Sequence, residues 1–216
     1  MNINEVLDKS SRRIERKIIL KKGQAIFILP DLKEYGFTKV HQSRRITSIY
    51  LDDINLNSLR DNIDGNRNRN KIRIRYYNNE IENFFIEIKQ KRGFIGYKKR
   101  INFNNVKFST RMNLVDYVIS WCKNEFQRSF YPKSEISYNR SYFQKNEFRA
   151  TVDTNINSTR LSTTGKSLNT SINDYEVIEF KYSPEHDEMF RLAFPDLTKK
   201  YVRATKSSKY SNSLMF

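Results

Sequence analysis

One pattern limits what this chain can fold into: short runs that alternate between charged and apolar residues. In "NKIRIRYY", residues 70 to 77, Lys71, Arg73 and Arg75 alternate with Ile72, Ile74 and Tyr76. Successive side chains of a β-strand point to opposite faces, so this run has one cationic face and one mostly apolar face. Water alone does not demand that, because mixed polar residues would do, and like charges two residues apart repel one another. The pattern recurs. Glu87, Lys89 and Lys91 alternate with Phe84, Ile86 and Ile88; Arg13, Glu15 and Lys17 oppose Ile14 and Ile18, with Arg16 as the exception. Arg149, Thr151 and Asp153 alternate with Phe148, Ala150 and Val152, and Glu179 and Lys181 oppose Ile178, Phe180 and Tyr182. "YKKRINF" adds Lys98 and Arg100, and "SYNRSYF" adds Arg140.

Two architectures accommodate such strands. One is an antiparallel sheet with a wet outer side. The other is a barrel turned inside out, its interior charged and its apolar side packed outward against helices. Helices are available. Apolar groups at Leu114, Val115, Val118, Ile119, Cys122 and Phe126 have helical spacing within 112 to 128. Residues 185 to 194 read as a shorter helix, and 22 to 29 as a helix that Pro30 stops. The Ser-, Thr- and Asn-rich tract from 154 to 176 reads as loop with room for a short strand.

Composition narrows the partners. The 216 residues suit one domain spanning 1 to 216, and 40 Lys and Arg against 24 Asp and Glu give a formal charge of +16. A polyanion is the natural partner. Cys122 is the only cysteine and His41 and His186 the only histidines, which rules out a disulfide framework and disfavours structural zinc. Any metal is expected on oxygen ligands, hence Mg²⁺ or Mn²⁺. No apolar stretch reaches the length of a membrane span and the first residues lack an apolar signal core, so a cytoplasmic location is expected.

The ordered set "ERK" (15 to 17), "SIYLDD" (48 to 53), "GNRNRNKIRIRYY" (65 to 77), "FIEIKQK" (85 to 91), "SYNRSYF" (137 to 143), "FRATVDT" (148 to 154), "IEFKY" (178 to 182) and "SSKYSNSL" (207 to 214) resembles the VTC polyphosphate polymerase domain. The resemblance spans roughly residues 11 to 214, and the order of all eight pieces carries it. It implies the triphosphate tunnel metalloenzyme fold: α+β, with an antiparallel β-barrel, a charged interior and an apolar outer face covered by helices. It also implies phosphate-binding roles for Lys17, Arg73, Arg75, Lys89, Arg140, Arg149 and Lys209, with Lys206 beside the last, and a metal-binding role for Glu179. Lys71, Lys91, Lys98 and Arg100 stand as tunnel-mouth contacts or solvated charges, and Glu15 and Glu87 as metal ligands or charge partners of neighbouring lysines. Related triphosphatases and cyclases carry a Glu two residues before the "ExK" pair, where this chain has Arg13. The resemblance therefore implies the polymerase branch in its stand-alone prokaryotic form, acting on ATP and inorganic polyphosphate, with regulation or export needing other proteins.

The residues themselves allow that chemistry. They suggest no Ser, Cys or His nucleophile with its base, so direct transfer of the γ-phosphate of ATP to a chain end, with release of ADP, is expected. Arginines would supply forked donors and lysines point charges to the phosphates. A triphosphatase, a non-catalytic polyphosphate-binding domain and a nucleic-acid binder are the rivals. The last is disfavoured because aromatic residues in the basic strands are expected on the face opposite the cations, and because Glu lies within the basic surface.

Overall fold

In a computed structural model, which describes residues 3–8, 13–92, 95–103, 106–195 and 208–215, the alternating runs are strands of a single antiparallel sheet. Its strands are β1 (Ile3–Asp8), β2 (Ile14–Lys21), β3 (Thr38–Asp52), β4 (Arg69–Tyr77), β5 (Phe85–Arg92), β6 (Ile95–Phe103), β7 (Tyr131–Lys145), β8 (Phe148–Leu161), β9 (Ser167–Ile172) and β10 (Tyr175–Tyr182). Helices α1 (Ala25–Glu34), α2 (Asn57–Ile63), α3 (Arg111–Phe126), α4 (Asp187–Ala193) and α5 (Lys209–Met215) complete an α+β fold. The strand order is β1-β6-β5-β4-β3-β7-β8-β10-β2, with β9 added to β8.

The sheet rolls without closing. β1 and β2 stand at its two ends, and among the described residues no ladder joins them. β1 pairs along β6 from Ile3↔Phe103 to Asp8↔Lys98, taking the edge that a closing strand would need. Strands far apart in the order still meet electrostatically: Lys71 of β4 senses Lys17 of β2, and Lys89 of β5 senses Glu15 of β2 and Lys181 of β10. Twist accumulated over many strands turns the charged faces toward one another. The charged side is therefore concave.

The apolar faces point outward and are covered. Leu114, Val115, Val118 and Cys122 of α3 pack on Ile49, Ile72, Ile74, Ile86, Ile88 and Ile101 of β3 to β6. Thr110 caps that helix, its hydroxyl accepting from the Asn113 amide at 3.2 Å. α1 and α4 cover the other half, where Ile28, Leu32 and Phe190 pack on Ile18, Phe148, Val152, Ile178 and Phe180. Truncating one such buried side chain costs about 2–5 kcal/mol, so these layers fix the roll of the sheet.

Two local readings change. α1 does not stop at Pro30 but continues to Glu34. Proline removes only the hydrogen bond to the carbonyl of Ile26, in the exposed first turn, and buried Leu32 anchors the turn that follows. The tract from 154 to 176 is mostly strand: β8 runs on to Leu161 and pairs with β9, where Ser158 meets Ser171 and Thr159 meets Thr170 through their hydroxyls. Gly165 turns this hairpin at φ +84, and a Cβ there would lie 3.2 Å from Val115 of α3.

A third apolar cluster lies inside the roll. Ile46, Tyr50, Ile136, Tyr138, Ile156 and Val177 gather around Tyr210 of α5 and Leu59 of α2, plugging one end of the concavity. The Tyr210 hydroxyl donates to Asp52 at 2.8 Å. Asp52 also accepts from the amides of Ser58 and Leu59, both at 3.0 Å, so its role is to cap α2 and seat α5.

Candidate active site

Register places the cations. Paired residues of neighbouring strands project to the same face, so Arg73 and Arg75 of β4 share the concave side with Tyr50 and Ser48 of β3 and with Glu87 and Phe85 of β5. Lys89 lies opposite Lys71 and Lys98, and Glu87 opposite Arg100. Across the roll, Arg140 of β7 pairs with Asp153 of β8, and Glu179 of β10 pairs with Thr151 of β8 and Lys17 of β2.

Three buried acids organise this wall. Glu87, 1% exposed, bonds Arg73, lies 3.2 Å from Lys98 and comes within 3.9 Å of Arg75. Burial alone would raise its pKa; Arg73, Arg75, Lys89 and Lys98 hold it well below the usual carboxylate range instead. Asp153, fully buried, receives both Nε and a terminal nitrogen of Arg140 at 2.6 and 2.7 Å, and Lys209 Nζ at 2.6 Å. Against the cost of burial, Lys209 and Arg140 keep it ionised. Glu179 sits 3.4 Å from Lys181 and 3.8 Å from Lys17, and these with Arg140 and Lys209 overcome its desolvation and hold its pKa far below the ordinary value. Lys181 also reaches Glu15 at 3.2 Å, tying the two carboxylates through one ammonium.

The cations exceed what these acids satisfy. Among the described residues Lys89 makes no hydrogen bond or ion pair, and burial with the nearby Arg73 pushes its pKa down to about 8. Lys71 donates to Asn62 and Ser208 at 2.6 and 2.9 Å and is lowered to about 8, chiefly by burial. Among the described residues, Arg73 Nε and Thr151 Oγ1 are buried without a partner. Buried polar atoms in native proteins are rarely left so, and here an anionic acceptor would complete the wall. The Tyr50 hydroxyl accepts from Arg73 at 2.9 Å; burial opposes its ionisation, but Arg73, Arg75 and Lys71 draw its pKa down to about 7.

The residues named from sequence fall in several places. Lys17, Arg73, Arg75, Lys89, Lys98, Arg140, Glu179, Glu15 and Glu87 line the concave wall, joined there by Lys209 from α5. Arg100 is on the same face, its guanidinium 3.7 Å from the centre of the Phe85 ring. Lys91 lies two residues beyond Lys89, opposite Arg69. Arg149 is exposed and lines, with Lys181 and Arg13, a cavity of about 200 Å³. Lys206 lies outside the described residues. Glu87 is surrounded by cations, a setting for charge balance; Glu15 and Glu179 lie near each other and offer the hard oxygen donors that Mg²⁺ or Mn²⁺ prefers. Among the described residues no three acids, histidines or cysteines gather, so further ligands for such an ion would be phosphate oxygens or water.

Asp153 and Lys181 were not among the site residues named from sequence, though alternation along "FRATVDT" and "IEFKY" puts both on the charged face; Lys71, a tunnel-mouth candidate, stands on the wall opposite Lys89. One expectation fails: aromatic residues do share the basic face. Arg73 lies 5.7 Å from the Tyr50 ring, Arg140 and Lys209 lie 5.2 and 4.8 Å from that of Tyr138, and Arg44 lies 5.3 Å from both Tyr77 and Tyr142. Tyrosine tolerates this because the face of its ring attracts a cation, alongside the ion pairs that Glu87 and Asp153 make with Arg73, Arg140 and Lys209.

Solved structures share the fold of this rolled antiparallel sheet. An adenylate cyclase-like protein of Bacillus halodurans matches with a TM-score of 0.59 at 13% identity, over 94% of this chain and 98% of that one. A Pyrococcus horikoshii protein matches at 0.55 and 11%, over 93% and 99%. An adenylyl cyclase-like protein of Hippeastrum with a dominant triphosphatase activity matches at 0.52 and 14%, over 92% and 93%. At such identities the likeness shows the fold alone. The chain itself belongs to the VTC domain family, whose model matches residues 12–216. No curated protein sequence matches it. Among the described residues no helix is long and apolar enough to cross a membrane.

Proposed function

We propose that this protein is a metal-dependent polyphosphate polymerase that transfers the γ-phosphate of ATP to the end of an inorganic polyphosphate chain and releases ADP. The observation that carries this reading is the surplus of cations on the concave wall. Among the described side chains, Lys17, Lys71, Arg73, Arg75, Lys89, Lys98, Arg140, Lys181 and Lys209 share this wall with Glu15, Glu87, Asp153 and Glu179. Two phosphate chains repel each other, and such a wall lowers the cost of bringing them together. The transferring group needs positioning and charge stabilisation rather than a covalent enzyme intermediate. In keeping with that, Cys122 is buried on the inner face of α3 with its thiol pushed up to about 12 by burial.

Each residue then has a task. Arg73, Arg75 and Arg140 are held in place by Glu87, Ser48 and Asp153 and present their free donors to phosphate oxygens without reorganising. Lys89, Lys17 and Lys209 add point charges, and Arg149 with Lys91, Lys98 and Arg100 would guide the chain outside the centre. Glu179 with Glu15 would hold Mg²⁺ or Mn²⁺, which neutralises charge on the phosphates when bound. Arg13 in place of an acid favours the polymerase over the triphosphatase of the same fold, and membership of the VTC family supports it.

The test is polyphosphate formation from ATP with Mn²⁺, resolved on a gel and matched to ADP release, for the wild type and Arg75→Ala. Arg75 makes charged contacts worth about 1.5–3 kcal/mol each, so its loss should slow chain formation at least tenfold. Phosphate release without chains would assign a triphosphatase. Tight tripolyphosphate binding without turnover would assign an accessory domain.

A further inference from the structure

Beyond the arginines, the concave face continues into rings. Two residues past Arg75 along β4, on the same face, stands Tyr77, and two residues past Arg140 along β7 stands Tyr142. β3 runs between these strands and sets Arg44 opposite Arg140 and His41 opposite Tyr142. The other end of the concavity, beside Tyr50, is plugged by Tyr210 and Leu59. Tyr77, Arg44 and Tyr142 therefore form part of the rim at the end away from the plug.

This rim is built from planes rather than ion pairs. The Arg44 guanidinium lies 5.3 Å from the centres of both tyrosine rings, and the His41 ring stands edge-on to Tyr142 at 5.6 Å. Among the described residues no hydrogen bond or ion pair holds the Arg44 guanidinium or either tyrosine hydroxyl. Arg44, Tyr77 and Tyr142 are half-buried and His41 is exposed, so part of this flat surface meets solvent. The neighbouring Phe85 ring, in contrast, is buried and already covered by Arg100 at 3.7 Å. Tyr142 senses both Arg140 and Arg44, which ties the rim to the phosphate wall.

We infer that this rim is a nucleobase platform: the base of a nucleoside triphosphate stacks on Tyr142, Arg44 and Tyr77 while its phosphates lie along Arg75 and Arg140. The inference rests on the reading of the concave wall as a phosphate site. From each wall arginine to the tyrosine beyond it the strand rises about 7 Å, a step that a ribose can span. A ring face and a guanidinium plane accept any base, because every base has a π-face. The platform thus selects nucleotides over bare tripolyphosphate and discriminates little between adenine and guanine. A further phosphate on Arg44 is the competing occupant, and it would use the charge of Arg44 but not the ring of Tyr142.

The test is titration calorimetry of ATP, GTP and tripolyphosphate, with EDTA present to prevent turnover, on the wild type, Tyr142→Ala and Arg44→Lys. Loss of the Tyr142 ring should weaken ATP and GTP by about tenfold each and leave tripolyphosphate within about twofold of the wild type. Arg44→Lys keeps the charge and loses the flat guanidinium, so it should show the same split. Unchanged thermal melts of both variants show that the fold is retained. Equal weakening of all three ligands by Tyr142→Ala, or weakening of none, overturns the platform and leaves the phosphate wall standing. A wild type that binds none of the three overturns the platform together with the proposed function. A wild type that binds them with this split but makes no polyphosphate upholds the platform and overturns the polymerase alone, because base binding is read without turnover.

Discussion

Asp153→Asn offers the sharpest perturbation of the wall. The substitution keeps shape and removes one charge from a fully buried site where Arg140 and Lys209 both converge within 2.7 Å. Removing one partner of a buried ion pair leaves the other uncompensated, at a cost of about 3–5 kcal/mol. For a domain of this size that is a fall in melting temperature of about 6–20 °C. The loss should be conditional. Tripolyphosphate would bring back negative charge beside Arg140 and Lys209; at a hundredfold excess over Kd a ligand stabilises a protein by about 2.7 kcal/mol. At one fixed tripolyphosphate concentration, the rise in melting temperature should be larger for the variant than for the wild type. Differential scanning fluorimetry with a tripolyphosphate titration reads both effects. A variant that melts within about 2 °C of the wild type would refute the energetic argument. A ligand-induced rise no larger than that of the wild type would refute the placement of phosphate beside Asp153.

Anion binding should weaken in mild alkali. Lys71 and Lys89, lowered to about 8, carry the charge that attracts phosphate below that pH and lose it above, so calorimetry at pH 7 and pH 9 should show tripolyphosphate affinity falling by up to about tenfold for each lysine. The two acidic clusters should separate by metal titration. Glu15→Gln should raise the Mn²⁺ concentration needed for half-maximal turnover, whereas Glu87→Gln should lower thermal stability and leave that concentration unchanged, because Glu87 balances Arg73, Arg75 and Lys98. An unchanged metal requirement in Glu15→Gln would remove it from the metal site.

Alternation along the chain determined which side chains share a face. That is a property of the extended backbone, whose side chains alternate whatever the strand later pairs with, and so Arg73 with Arg75, Glu87 with Lys89 and Glu179 with Lys181 were legible at once. The spacing of Leu114, Val115, Val118 and Cys122 likewise announced α3 before its partner strands were known. Only tertiary structure decided which acid meets which cation. Asp153 joins Arg140 across one strand pair and Lys209 from a helix 56 residues away, and no local pattern encodes that meeting. The same holds for Pro30, tolerated because Leu32 is anchored by the core, for the hydroxyl pairs that make a strand of a loop-like tract, and for β1, which takes the edge of β6 and leaves the roll open. Periodicity is set within a strand, but pairing, closure and burial are chosen by contacts distant in the chain.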